Sequence, residues 1–280
     1  MEYRPFTGVP CAYHLHYHFC FQTKFNRPRF LAPAAGEVMA SSLASICDHN
    51  KFHLLGHSIE NDRLYCLISL RPDDVVSSVA RTLKTNLARE FNLKTRAEDR
   101  TLWSIGYYVG SVGKASKASA QQYIDNQGEH HGIRSKESRE LLRWLNPEPS
   151  KLRAQHATFD LSYHVVLVTS GRTEVFDEYI APNLFAAMTS VCERGGFYIE
   201  RMSLLHDHIH ALVKITPSHS IQSCVEDMMN HSWTFMMDRY EGVLKNTGAY
   251  NVWSQSFYVS TLGHATTAQV KSFLSREDIG

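Results

Sequence analysis

The most constraining feature of this chain is that it repeats itself. The segment YHFCFQT, residues 17–23, returns as YHVVLVT at residues 163–169, a separation of 146. Cys47, Phe52 and Pro72 return as Cys192, Phe197 and Pro217, 145 residues on. WSIGYYVGSVG, residues 103–113, returns as WSQSFYVSTLG at residues 253–263, 150 residues on. Matches that keep their order at a nearly constant offset indicate two copies of one structural unit. The copies are placed at 1–144 and 159–280, and the two prolines and polar composition of 145–158, LNPEPSKLRAQHAT, suit an extended linker. At 280 residues the chain is long enough for each copy to bury its own core.

Within each copy the spacing of apolar residues predicts strand, helix, strand, strand, helix, strand, helix. In the first copy HLHYHFCFQT alternates with period two, PAAGEVMASSLASICDHN has helical spacing, and FHLLGHSIEN and RLYCLISL are strands. VVSSVARTLKTNLAREFN is a second amphipathic helix, and GYYVGSVG leads into a terminal helix, ASAQQYIDNQ. This order predicts the α+β class, with a mainly antiparallel sheet and helices on one face. The six cysteines form no CxxC pair, so they are expected as reduced core thiols of a soluble intracellular protein. No apolar run approaches the roughly 20 residues that span a membrane. The net charge of +1 conceals an asymmetry: residues 1–145 hold 19 Lys+Arg against 14 Asp+Glu, whereas residues 146–280 hold 10 against 14. A footprint for phosphate would be confined to one side of such a molecule.

In the second copy LLHDHIHALVKI places His208 and His210 two apart on a strand, so both imidazoles emerge on one side of the sheet, where they can approach a single divalent cation. His206 falls on that side too. In a chain with 16 histidines chance pairs are expected, and an isolated pair reads first as satisfying polar neighbours. In the first copy Tyr123 and Gln127, at i and i+4, share one helical face, and by themselves they read first as a packing and a solvated residue. Gly110 and Gly113 precede that helix and read as turn glycines at a strand end. Arg81, Lys84 and Arg89 on the second helix are candidate phosphate contacts or a solvated helix face.

Together HDHIHALVKITPSHSI, WSIGYYVGSVG and QQYIDNQ resemble the single-tyrosine HUH transposases of bacterial insertion sequences, the TnpA type, over nearly all of both copies. The resemblance implies a ferredoxin-like or RRM-like HUH domain in each copy, and a pseudo-twofold dimer within one chain. It assigns His208, His210 and Gln127 as ligands of Mg²⁺ or Mn²⁺ and Tyr123 as the nucleophile. It implies a 5′-phosphotyrosine intermediate, a substrate of single-stranded DNA with hairpin-forming ends, and a setting at the nucleoid in the bacterial cytoplasm. It also implies that the connection through Gly110 and Gly113 lets the tyrosine helix move. A phenol is mostly protonated near neutral pH, so Tyr123 needs an acceptor or the field of the metal, and the sequence names no base.

The departures from the family pattern are complementary. The histidine positions fall in copy one on Arg63 and Tyr65, and the tyrosine and glutamine positions fall in copy two on Phe273 and Glu277. Arginine is a permanent cation and phenylalanine has no hydroxyl. Family members work as dimers in which the tyrosine helix of one subunit completes the metal site of the other. The expectation is therefore one composite site, from Tyr123 and Gln127 of copy one with His208 and His210 of copy two, and one degenerate site. Two chains could still assemble to process two ends. The alternative is a domesticated, catalytically inactive protein that binds DNA hairpins.

Overall fold

The computed structural model describes residues 4–96, 101–125, 141–146, 152–248 and 251–276. Copy one runs β1 (Cys11–His14), β2 (His16–Gln22), α1 (Pro33–Asn50), β3 (His53–Ile59), β4 (Arg63–Ser69), α2 (Val76–Thr95), β5 (Tyr107–Val112) and α3 (Lys117–Asp125), followed by β6 (Leu142–Leu145). Copy two runs β7 (Ala157–Asp160), β8 (Ser162–Thr169), α4 (Ile180–Gly195), β9 (Phe197–Leu204), β10 (His208–Ile215), α5 (Ile221–Asn246), β11 (Trp253–Leu262) and α6 (Thr267–Arg276). The predicted succession is present in each copy, with three short strands that the apolar spacing does not predict: β1 and β6 in copy one and β7 in copy two.

The local causes are plain in the sequence. In β2, Tyr17, Phe19 and Phe21 alternate with half-buried His16, His18, Cys20 and Gln22, so one face of the strand enters the core and the other stays polar. Helix α1 starts on a proline, whose missing N–H is no loss in the first turn. It ends on Lys51 in the left-handed region, and α4 ends on Gly196 in the same conformation, 145 residues later.

Two sheets result, with strand orders β3-β4-β2-β5-β7 and β6-β9-β10-β8-β11-β1 among the described residues. The four strands that follow one another around α1 and α2, or around α4 and α5, form the same antiparallel order in both, which is the ferredoxin-like arrangement. The edges are exchanged. β1 of copy one lies parallel to β11 of copy two, and β7 of copy two lies parallel to β5 of copy one. β6 also crosses over, pairing with β9, so the stretch drawn as a linker from the sequence is bounded by two strands.

A pseudo-twofold axis relates the copies, and reciprocal hydrogen bonds mark it. The His16 N–H donates to Thr261 Oγ1 (3.0 Å), and the equivalent Ser162 N–H donates to Ser111 Oγ (2.9 Å). Lys117 N–H donates to Gly263 O and Thr267 N–H to Gly113 O, both at 2.9 Å. Ser77 N–H donates to Pro217 O (2.8 Å) and Gln222 N–H to Pro72 O (3.1 Å). On the axis, the equivalent buried hydroxyls of Tyr17 and Tyr163 bond each other at 3.0 Å. One apolar core runs through both copies, and the N-terminal segment is tied across by Asn230, which accepts from Phe6 N–H and donates to Phe6 O. Among the described residues no helix is long and apolar enough to cross a membrane.

Where the copies cross, side chains are excluded. A Cβ on Gly113 would lie 2.4 Å from Thr261 O, and one on Gly263 would lie 2.1 Å from Ser111 O. Gly113 is thus a point of close approach between two backbones, not only a turn at a strand end.

Candidate active site

The site is built on the sheet face that α4 and α5 leave uncovered. On β10, Ile209, Ala211 and Val213 enter the core, so His208 and His210 point to the opposite face together with His164 and Val166 of β8 and Tyr258 of β11. Helix α3 of copy one lies across this face of copy two. Its Ala120 and Ile124 pack on Leu212 and Leu262, and its Lys117 and Gln121 reach Glu200 of β9 at 2.8 and 3.0 Å. That anchorage brings the Tyr123 ring edge-on to His210, with centroids 5.6 Å apart, and to His164, at 6.3 Å. Tyr123 is 43% exposed while His208 and His210 are 6% and 8% exposed, so the phenol stands at the rim above two buried imidazoles.

Both imidazoles are oriented through Nδ1. His208 Nδ1 meets the Asp207 carboxylate at 2.5 Å, and His210 Nδ1 meets His164 Nε2 at 3.0 Å. A carboxylate only accepts, so it fixes the proton on His208 Nδ1 and turns the lone pair of Nε2 to the sheet face. Burial pushes His164 down to about 4, so it stands neutral beside His210 near neutral pH. Two imidazoles oriented by carboxylate and imidazole partners are a donor set that fits a divalent cation. Among the described residues no group of three or more His, Cys, Asp or Glu could hold a metal by itself. Gln127, expected as the third ligand, lies outside the described residues. His206, expected on the same side of the strand, lies in the bend between β9 and β10 instead, with its Nδ1 on Phe176 O at 2.9 Å.

Beside Tyr123 opens a cleft of about 440 Å³ lined by Lys114 and His14 from copy one and by His164 and Tyr258 from copy two. It offers cationic and aromatic groups together next to the phenol.

The equivalent face of copy one holds other chemistry. Tyr65 of β4 stacks on His18, with centroids 5.9 Å apart, and Arg63 stands beside it with a 42% exposed side chain, 3.7 Å from Asp62. Helix α6 of copy two lies over that sheet, where its Val270 packs with Leu55, Tyr65, Leu67 and Val112. Phe273 sits on α6, and Glu277 lies outside the described residues. Of the helix α2 cations, Arg81 and Arg89 are exposed. Lys84 is turned to another task. Its ammonium donates to Ser104 O, Ile105 O and Gly106 O at 2.7, 2.7 and 3.1 Å, which uses its three protons on the backbone and leaves none for a phosphate.

Three partners are not foreseen by the motifs: His164, Asp207 and the Glu200 anchor. A signal existed for His164, because the repeat aligns it with His18, and for Asp207, which precedes His208 directly. None existed for Glu200, since its partners Lys117 and Gln121 are about 80 residues away in the other copy.

Comparison with known proteins agrees with the repeat. The model of a family described as IS200-like transposases matches residues 11–127 and again residues 157–277. The ISDra2 transposase TnpA of Deinococcus radiodurans is 23% identical over 119 residues, 42% of this chain and 85% of the relative. The transposase for insertion sequence element IS200 of Salmonella typhimurium is 32% identical over 116 residues, 40% of this chain and 75% of the relative. Among solved structures, a REP-associated tyrosine transposase bound to a REP hairpin covers 47% of this chain and 74% of its own, at 16% identity and a TM-score of 0.30. Each similarity spans less than half of this chain but most of the relative. With the family's domain matched twice along one polypeptide, the chain belongs to the IS200-like transposase family.

Proposed function

We propose that the protein is a DNA strand transferase with one composite active site, in which Tyr123 of copy one acts on a phosphate held over His208 and His210 of copy two. The observation that carries this reading is the 5.6 Å approach of the Tyr123 and His210 rings across the two copies. The substrate is single-stranded DNA with hairpin-forming ends. Tyr123 Oη attacks phosphorus and loses its proton, the P–O3′ bond breaks in line, and the departing 3′ oxygen takes up a proton. The strand then carries its 5′ phosphate on the tyrosine, and a second 3′-hydroxyl attacks that phosphate to restore the phenol, so no external energy source is consumed. His208, His210 and Gln127 would hold Mg²⁺ or Mn²⁺, which supplies positive charge to the non-bridging phosphate oxygens. Asp207 and His164 keep the two imidazoles in register, and Glu200 keeps the tyrosine helix on the foreign sheet.

The test is a 5′-hairpin strand, labelled on the side that stays with the tyrosine, incubated with protein and Mg²⁺ or Mn²⁺ and resolved on a denaturing gel. A labelled protein band that chelator abolishes is the expected result. Strand binding without any adduct under either metal would instead identify a hairpin-binding protein that does not cleave.

A further inference from the structure

The turn after β2 differs from its counterpart in copy two in a way that the packing does not explain. Residues 24–26 of copy one and residues 170–172 of copy two form the same short helical turn. The entry residues Thr23 and Thr169 have φ/ψ of −67/153° and −65/156°, and their hydroxyls donate to Arg27 O and Thr173 O, both at 2.7 Å. At the second position copy two has Gly171, with φ/ψ of 65/16°, where the left-handed conformation suits a glycine. Copy one has Phe25 there, with φ/ψ of 61/25°. A bulky residue is disfavoured in that region and persists only where something other than backbone preference retains it. Packing does not retain it, because Phe25 is 73% exposed.

The ring is set among cations. Lys24 Nζ lies 5.2 Å and Arg27 Cζ 5.3 Å from its centroid, and Arg29 follows two residues on. The corresponding positions of copy two are Ser170, Thr173 and Val175. An exposed aromatic face flanked by cations matches an unpaired base with its adjoining phosphates: the ring stacks on the base, and the cations meet the backbone. The turn is fixed against the β3–β4 connection, where Thr23 N–H donates to Asp62 O (2.9 Å) and Phe30 N–H to Asn61 O (3.0 Å). It therefore borders Arg63, as the turn of copy two borders Asp207 and His208 through Thr169 N–H and Asp207 O (2.8 Å).

We infer that the Lys24–Phe25–Arg27 turn is a binding site for the unpaired bases of a DNA strand, on the copy that lacks the histidine pair. It rests on the reading that the protein acts on single-stranded DNA, and it assigns the holding of that strand to the copy that does not hold the reacting phosphate. Since copy two accepts glycine at the same backbone conformation, Phe25→Gly removes the ring without asking the fold for anything new.

The experiment measures anisotropy of a labelled oligo(dT) of about 20 nucleotides and of a blunt duplex of equal length. It uses the wild-type chain, Phe25→Gly and the double variant Lys24→Gln/Arg27→Gln, together with melting temperature and adduct formation at saturating strand. Phe25→Gly should keep or raise the melting temperature, weaken oligo(dT) binding at least about fivefold and leave the duplex unaffected. The double variant should reduce the salt slope for oligo(dT) by about 0.7 for each phosphate that is no longer neutralised. Unchanged oligo(dT) affinity in Phe25→Gly, with adduct formation intact, overturns the site while the strand-transfer reading stands. An equal loss on duplex and single strand overturns base stacking. A wild-type chain that binds neither probe overturns both readings.

Discussion

Copies one and two share a frame and differ on its open face. At positions 65 and 210 the same strand offers a tyrosine stacked on His18 or a histidine bonded to His164, and at positions 63 and 208 an arginine beside Asp62 or a histidine beside Asp207. The bonds that join the copies are repeated in both directions, from Ser162–Ser111 and His16–Thr261 to the tyrosine pair on the axis. The difference teaches that the frame is held by buried, reciprocal contacts, whereas the face belongs to whatever chemistry each copy performs. On the proposed reading one copy supplies the nucleophile and strand contacts and the other supplies the ligands, so a single polypeptide carries one reacting centre where a symmetric pair would carry two.

The largest expected effect tests that division directly. Tyr123→Phe should lower covalent adduct by at least about a thousandfold while leaving strand binding intact. Phe273→Tyr should leave the count at one adduct per chain, because the strands facing α6 present Arg63 and Tyr65. Two adducts per chain, by mass spectrometry of substrate-saturated protein, would break the comparison. The next effect concerns imidazole orientation. His164→Ala should weaken Mn²⁺ binding by about 10–100-fold, and His18→Ala, its counterpart, should leave it unchanged. Calorimetric titration of both variants with Mn²⁺ decides this, and equal effects would mean that the two faces are not specialised.

A smaller effect is expected at the anchor of α3. Glu200→Ala removes the partner of both Lys117 and Gln121, so adduct formation should slow by roughly tenfold, short of the hundredfold that a full ångström of misplacement can cause. A single-turnover rate equal to wild type would show that Glu200 positions nothing. The smallest effect is the pH dependence contributed by His16 of copy one. His16 is pushed from 6.5 down to about 4 by burial and then by His14, Lys271, Lys114 and His53, and its counterpart Ser162 does not titrate. A folded-state value below the unfolded one means that the unfolded chain takes up the proton first, so stability is lost as pH falls from about 6.5 to about 4. His16→Gln should reduce the slope of urea-unfolding midpoints across that window, leaving the share that buried His164 contributes. A slope identical to wild type would remove His16 from the acid sensitivity.

Much of the fold is legible in the sequence because the repeat declares the unit and period two declares the strands. Tyr17, Phe19 and Phe21 alternate visibly, and His208 and His210 stand on one face for the same reason. The exchanged edges are not legible: β1 is the four residues CAYH, too short to show a period, and its partner lies about 245 residues away. Lys84 reads as a surface cation because nothing local tells that three carbonyls of the β5 approach converge on it. The φ of Phe25 is equally hidden, although its alignment with Gly171 in the repeat holds the clue.

The exchange of edge strands has a consequence for how the molecule is made. Cys11 to His14 are synthesised 246 residues ahead of their partners, Phe257 to Ser260. Copy one can complete its own four antiparallel strands early, but β5 must wait for β7, and β1 must wait for β11. Closing contacts over such separations is slow because the entropy of a long loop has to be overcome before the strand pairing compensates. Nascent chains halted before residue 253 are therefore expected to expose β1 and the segment before it to protease, and only chains extended through β11 should protect them.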